Sequence, residues 1–328
     1  MSVELGPLGR IRPLGLGFWQ AGGKLWRSPQ GASWVSKVVE EAIAHGIQLF
    51  DTAEIYGWGR SEERLGRALK EVGAEDVIIA SKIAPFRITY SLMKRGVEGI
   101  NRRLGRKVDL IQLHWPPPYW VPLCRIVRGL ERAVEEGLAG AYGLSNFPAK
   151  LMEKVYECSK RHEPVSDQVQ YSLAYRSPEN KLLPLSERKG FKIIAWSPLA
   201  KGALAGAKRP VDPAQRGDPV YKAAARDDKL QKALNIAAER LGVPRSSIAL
   251  AWLIAKGAIP IPGTRRPERV REYAIALKLD LPEETLKQLD SASETYKTKW
   301  GESYRALQYL RLVPCGLQYI FIRATGGV

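Results

Sequence analysis

Three short apolar runs in this chain each end on an ionisable side chain. Gly46-Ile-Gln-Leu-Phe-Asp51 ends on Asp51, with Tyr56 five residues on; Val77-Ile-Ile-Ala-Ser-Lys82 ends on Lys82; Asp109-Leu-Ile-Gln-Leu-His114 ends on His114. A carboxylate, a phenol, an ammonium and an imidazole together suit the reduction of a carbonyl, in which a developing alkoxide must be protonated as hydride arrives. A phenol with an ordinary pKa near 10 gives up its proton reluctantly, and a neighbouring cation favours its ionised form. Lys82 is that cation in this reading. At a half-buried rim Lys82 would tend to lose its own charge, so Asp51 serves as counter-ion. His114 can donate a hydrogen bond to the carbonyl oxygen and orient it.

The elements that must position these groups follow from the pattern around them. The three runs are too short and too rich in β-branched residues for helices, so they read as buried strands. Between them, 61–72 and 89–104 carry helical spacing with start signals. Strand and helix alternating at this interval imply a parallel sheet, and the expected fold is α/β, a (β/α)8 TIM barrel with its active site at the carboxyl ends of the strands. Counting by twos places Leu49 with Asp51, Ala80 with Lys82, and Leu110 with Gln112 and His114, so all three ionisable ends share one rim.

Further strands are expected at 14–20, 140–146, 165–171, 191–197 and 258–261, which completes eight. Helices are expected at 33–44, 122–136, 148–161, 182–189, 228–241, 246–256 (capped by Ser246) and 267–277. An extra helix is expected at 281–293. The segment 200–228, rich in Gly, Pro and charge, reads as a long loop. The tail 294–328 reads as irregular and lying near the barrel mouth, with its apolar stretch 317–322 suited to a strand or a docked lid.

Composition bounds the rest. With 328 residues and 45% hydrophobic content the chain can bury a large core, and 1–328 is expected to form a single domain. Cys124, Cys158 and Cys315 are widely spaced, which speaks against a disulfide framework and against a metal site, and favours a reducing compartment. The first residues lack a leader-like pattern and no run is long enough to span a bilayer, so a cytoplasmic chain with no membrane partner is expected. The net charge of +17 is dispersed, with no run of five basic residues, and fits a solvated surface better than a specific nucleic-acid footprint. Scarce asparagine beside abundant Arg and Glu fits a thermophilic source.

Five blocks in order carry a family resemblance over about residues 14–290: Phe50-Asp51-Thr-Ala-Glu-Ile-Tyr56-Gly57, Ala80-Ser81-Lys82, Gln112-Leu113-His114-Trp115-Pro116, Gly143-Leu144-Ser145-Asn146-Phe147 and Ile261-Pro262-Gly263-Thr264. Each stands at the end of an expected strand, and together they resemble the signatures of the aldo-keto reductases. The resemblance implies a (β/α)8 barrel that reduces aldehydes and ketones with NADPH, with Asp51, Tyr56 as proton donor, Lys82 and His114 as its catalytic tetrad. The same resemblance admits a cofactor-binding regulatory or interaction protein with little turnover, as in the potassium-channel beta subunits.

No G-x-G-x-x-G opens a Rossmann unit, and the resemblance implies instead a dinucleotide lying extended across the barrel mouth. Ser145, Asn146 and Gln168 would hold its carboxamide and Trp196 would stack on the nicotinamide. Ser197, Leu199 and Lys201 would embrace the pyrophosphate. Around Gly263 and Thr264 the chain runs from the eighth strand into its helix, where amides and a helix N-terminus can bind phosphate. Arg265, Arg266 and Arg269 add bidentate charge there, so NADPH is expected over NADH although some members carry lysine where Gly263 stands. Glu272 matches an adenine contact, and Tyr273 replaces a frequent asparagine. Trp19, Trp58, Trp115 and Trp120 follow strand ends and are expected to wall the substrate pocket, with Trp300, Tyr304 and Tyr309 of the tail covering it. No metal is expected. The partner is a small carbonyl compound, and the chain a monomer or small homo-oligomer.

Overall fold

A computed structural model describes residues 2–23, 25–26, 32–302 and 305–324. The sequence begins with a hairpin that periodicity does not reveal: β1 (Val3–Glu4) pairs antiparallel with β2 (Arg10–Ile11). Eight parallel strands follow, and each pairs with the next in chain order: β3 (Gly15–Gly17), β4 (Leu49–Asp51), β5 (Ile78–Ile83), β6 (Val108–Leu113), β7 (Ala139–Ser145), β8 (Ser166–Gln170), β9 (Lys192–Trp196) and β10 (Ile259–Pro260). The Gly17 amide donates to the Pro262 carbonyl at 3.1 Å, bringing the first barrel strand back against the last. This is the (β/α)8 barrel that the strand and helix alternation requires.

Alternation along each strand sorts the side chains. Leu49, Ala80, Leu110, Ala141, Ile194 and Ile259 fill the barrel, with Leu5 and Ile11 of the hairpin region packed into the same cluster. Phe50, Ile79 and Ile111 point the other way, into the layer beneath the helices. The helices earn their place by matching stripes. Arg60–Val72, for example, buries Leu65, Ala68 and Leu69, and stops at Gly73 in the left-handed conformation that a side chain would strain.

β3 is shorter than the run 14–20, because the chain turns into the helix Trp19–Gly22. At Gly15 a side chain would meet the Leu49 carbonyl oxygen at 2.8 Å, so glycine permits the tight pairing there. The helix expected to be capped by Ser246 runs Arg245–Ala255 with Pro244 at its N-cap, and the Ser246 hydroxyl instead donates to Glu272. The segment expected as a long loop is ordered into Ala200–Ala205, Pro213–Arg216 and Pro219–Ala225. Two Asp-Pro pairs build it: Asp218 caps by accepting from the Tyr221 amide, and Asp212 forms a capping box with Gln215. Each proline takes the first helical position, where no amide is needed.

The tail is helical and not strand-like. Arg305–Leu310 and Cys315–Ala324 lie over the mouth, with Leu310 and Ile322 packed against Ile55, Ala84 and Trp115. Trp300 stacks on Tyr175 and donates to the Ala174 carbonyl, so it tethers the tail and does not cover the opening. Tyr309 faces solvent. Tyr304 lies outside the described residues.

The cysteines correct the expectation drawn from their spacing. Cys124 and Cys158 are disulfide-bonded, with Cα atoms 4.9 Å apart. They are 34 residues apart in sequence, but the barrel sets helix Leu123–Glu135 beside helix Ala149–Cys158, a proximity that linear spacing cannot show. The cysteines therefore no longer argue for a reducing compartment. Closing a loop of this length restricts the unfolded chain, and loss of such a bond typically costs about 2–4 kcal/mol. Reduction, or Cys124→Ser with Cys158→Ser, should lower the melting temperature in calorimetry; an unchanged transition would show that the bond does not contribute to stability.

Candidate active site

The carboxyl ends of β4, β5 and β6 bring Asp51, Lys82 and His114 together, and the turn after β4 adds Tyr56. Lys82 is fully buried, and its ammonium donates to Asp51 Oδ1 at 2.6 Å, to the Thr52 carbonyl at 2.8 Å and to the Tyr56 hydroxyl at 3.4 Å. All three of its donors are thereby used. Asp51 Oδ2 accepts from Gln168 at 2.7 Å and from Gln112 at 3.4 Å, which fixes the carboxylate from the far side. The Tyr56 ring stands edge-on to His114, with centroids 5.6 Å apart. Gly57 follows in the left-handed region, where any side chain would collide with the Gly22 carbonyl, so this turn requires glycine at Gly57.

Electrostatics in this cluster oppose one another. Burial raises the Tyr56 pKa above its ordinary value, and the Lys82 charge offsets this only in part. Burial also works against the Lys82 charge, but Asp51 and Tyr56 together hold its pKa above the usual lysine value. Burial, and then Lys82, push His114 well below the usual imidazole range, so the ring is neutral. The sequence argument anticipated the cation beside the phenol and not the greater weight of burial on the phenol itself.

Above this cluster lies a cavity of about 790 Å³ that runs from Tyr56, His114 and Trp196 to Arg265, Arg266 and Arg269. Ser145, Asn146, Gln168, Ser197, Leu199, Lys201, Gly263, Thr264 and Tyr273 all lie on its wall. The amides at its inner end tie the strands together. Ser145 donates to the Gln168 carbonyl, Asn146 donates to the His114 carbonyl at 3.0 Å, and the Trp196 indole donates to Asn146 Oδ1 at 3.1 Å. Asn146, Ser197 and Lys201 on the cavity wall adopt positive φ, as does the neighbouring Ala200, a strain of about 1–3 kcal/mol each.

Acidic partners hold the basic end. Lys201 pairs with Asp218 at 2.6 Å and Arg265 with Asp212 at 3.0 Å, both from the ordered segment after β9. Glu272 is not on the cavity wall; it accepts from Arg269 at 2.6 Å and from Ser246. Of the four tryptophans expected to wall the substrate pocket, Trp19 and Trp115 line this cavity. Trp58 packs edge-on against Tyr319 beneath the tail helix, and Trp120 is turned outward, 56% exposed. Docking of the tail accounts for the Trp58 position, since the stretch expected as a strand or docked lid is part of a helix that sets Tyr319 against the Trp58 ring.

Several contributing residues were not anticipated. Trp26 and Leu307 join the cavity wall from segments without periodic signal. Glu54, buried between the loops after β4 and β5, accepts from the Ala84 amide at 2.6 Å and from the Arg87 guanidinium at 2.7 Å. It thus clamps the turn bearing Tyr56 to the strand bearing Lys82. Nothing distinguishes Glu54 from a solvated glutamate in the sequence alone.

The sequence profile of the aldo/keto reductase family matches residues 13–294. The chain belongs to this family. As an aldo/keto reductase it is an oxidoreductase, and its curated relatives include the chloroplastic pyridoxal reductase of Arabidopsis thaliana, 32% identical over 89% of this chain and 86% of that protein. A thermostable aldo-keto reductase crystallised with the inhibitor epalrestat superposes with a TM-score of 0.76 at 32% identity, covering 89% of this chain and 99% of its own. An aldo-keto reductase from Klebsiella pneumoniae, crystallised with NADPH, gives 0.76 at 28% identity, over 92% and 97% of the two chains. No group of three or more His, Cys, Asp or Glu side chains placed to hold a metal occurs among the described residues.

Proposed function

We propose that this aldo/keto reductase reduces the carbonyl of an aldehyde or ketone to an alcohol with NADPH, and that Tyr56 is the acid. The observation that carries this reading is the Tyr56 hydroxyl 3.4 Å from the buried Lys82 ammonium, which is itself paired with Asp51 at 2.6 Å. A bound nicotinamide would supply hydride. The cavity suits such a cofactor: polar amides and an indole line its inner end, and arginines with a helix N-terminus at Pro267 line its outer end.

In this reading Tyr56 remains protonated at neutral pH, because burial raises its pKa, and it can donate to an alkoxide as that charge forms. Lys82 makes the transfer easier by stabilising the phenolate left behind. His114, held neutral, directs a ring N–H toward the substrate oxygen. Ser145, Asn146, Gln168, Trp196, Ser197, Leu199 and Lys201 would line the cofactor, with Gly263, Thr264, Arg265, Arg266 and Arg269 at its phosphate end. Trp19 and Trp115 favour a substrate with an apolar or aromatic body.

A panel of aldehydes and ketones, followed by loss of NADPH absorbance, tests the reading. Absence of turnover across the panel with tight NADPH binding would favour a cofactor-binding interaction protein instead. Arg265→Ala tests the choice of cofactor. A charge-assisted hydrogen bond to the extra phosphate contributes about 1.5–3 kcal/mol, so the KM for NADPH should rise roughly 10- to 150-fold while that for NADH changes little. Equal rises for both cofactors would remove Arg265 from phosphate recognition.

A further inference from the structure

We propose that Glu62 is a positioning residue: from outside the barrel wall, and only while ionised, it sets how Lys82 and Tyr56 stand to one another. The inference rests on the reductase reading above. Glu62 lies in the first turn of helix Arg60–Val72 and has no exposed surface. A carboxylate withdrawn this completely from water is costly unless its oxygens are used. Here Oε1 accepts from the Ser81 hydroxyl at 2.5 Å and Oε2 from the Arg103 guanidinium at 2.6 Å. Ser81 immediately precedes Lys82 on β5, and its side chain leaves the barrel on the side opposite to Lys82.

The residue before Glu62 makes the matching links to β4. The Ser61 hydroxyl accepts from the Thr52 hydroxyl and donates to the Phe18 carbonyl, each at 2.7 Å, and the Ser61 amide donates to the Tyr56 carbonyl at 3.3 Å. Thr52 follows Asp51, and its own carbonyl accepts from the Lys82 ammonium at 2.8 Å. One helical turn therefore holds the backbone of Tyr56, an acceptor of Lys82 and the residue beside Lys82. Glycine permits the close packing behind it: a side chain at Gly59 would collide with Arg103, and one at Gly66 with the Leu104 carbonyl of helix Tyr90–Leu104.

Ionisation decides whether the hold is complete. A carboxylate offers an acceptor oxygen to each of the two donors, whereas a protonated acid keeps one good acceptor for both, so Ser81 or Arg103 is released. Burial lifts the Glu62 carboxyl to about 6, with Arg103 and Ser81 opposing and Glu54, on the turn after β4, adding to the rise. Arg87 pairs with Glu54 at 2.7 Å, and Asp51 and Lys82 pair with each other on the inner faces of β4 and β5. Of the other helices packed on this one, Trp34–Ala44 buries an apolar face and Trp19–Gly22 has no charged side chain. Tyr56 governs the alkaline side of the pH profile, and His114 already lies well below the usual imidazole range. The acid side is left to Glu62.

The test compares the wild type with Glu62→Gln and Ser81→Ala at saturating NADPH. Wild-type kcat should fall as pH drops through about 6. Glu62→Gln should show no such limb and stay about tenfold below the wild-type plateau, with the KM for NADPH unchanged. Ser81→Ala severs the same link from the strand side, so the double variant should be no slower than the slower single one. Amide hydrogen exchange gives a readout that needs no substrate: peptides covering 52–57 and 78–83 should exchange faster in both variants. The melting temperature of Glu62→Gln should not fall at alkaline pH, because a carboxyl whose folded pKa is raised loses stability as pH rises through that pKa, and the amide carries no charge. An acid limb that survives Glu62→Gln, an unchanged kcat or unchanged exchange in both peptides would overturn the proposal. A lowered melting temperature with normal kcat would reduce the link to a structural one. A wild-type chain that reduces no carbonyl would overturn the reductase reading instead, and the exchange results would still decide whether Glu62 holds the site.

Discussion

Tyr56→Phe is expected to lower kcat by about 10²- to 10⁴-fold, the range typical of losing a positioned acid, while NADPH still binds with an unchanged dissociation constant. The substitution removes one oxygen and leaves the ring against His114 and Trp19. Lys82 keeps its bonds to Asp51 and Thr52, so the fold should be undisturbed. The pH profile of the wild type sharpens the expectation. The acid must hold its proton, and burial places the Tyr56 pKa above the ordinary phenol value, so the rate of reduction should stay level through neutrality and fall only beyond the usual tyrosine range. A Tyr56→Phe enzyme with near-normal turnover, or one that retains the same alkaline limb, would mean that the proton comes from elsewhere.

How much of this was legible in the sequence depends on how local the information is. Alternation by twos carried Asp51, Lys82 and His114 to one rim, because a strand's side-chain direction is a property of a few consecutive residues. The barrel followed from strand and helix in regular succession. The hairpin β1–β2 was not visible, since two-residue strands give no period to count. The order in the segment after β9 was misjudged for a different reason: its helices are only four to seven residues long and are announced by Asp-Pro caps and not by apolar spacing.

Long-range facts were the least accessible. The Cys124–Cys158 bond joins neighbouring barrel helices, and the Glu54–Arg87 clamp is 33 residues from end to end. The dislocation of Trp58 from the cavity depends on a tail helix more than 250 residues away in sequence. Even the sign of the shift at Tyr56 belongs here, because residue types reveal a nearby cation but not how completely a phenol is withdrawn from water.

Lys82→Met separates what the buried pair does for the fold from what it does for chemistry. Removing one partner leaves the Asp51 carboxylate uncompensated in the interior, and breaking such a pair typically destabilises a protein by about 3–5 kcal/mol. Denaturant unfolding should register that loss directly. Adding Asp51→Asn neutralises the orphaned charge, and the new amide oxygen can still accept from Gln168, whose Nε2 now lies 2.7 Å from the carboxylate. Most of the lost stability should therefore return in the double variant. Turnover should not return, because neither variant restores an ammonium beside the phenol, and both should remain at least about 10²-fold below wild type. If the double variant regained activity together with stability, the pair would be a structural fixture of the barrel and Tyr56 would need another source of its acidity. If Lys82→Met alone kept wild-type turnover, the 3.4 Å approach between ammonium and phenol would be a consequence of packing without a part in the reaction.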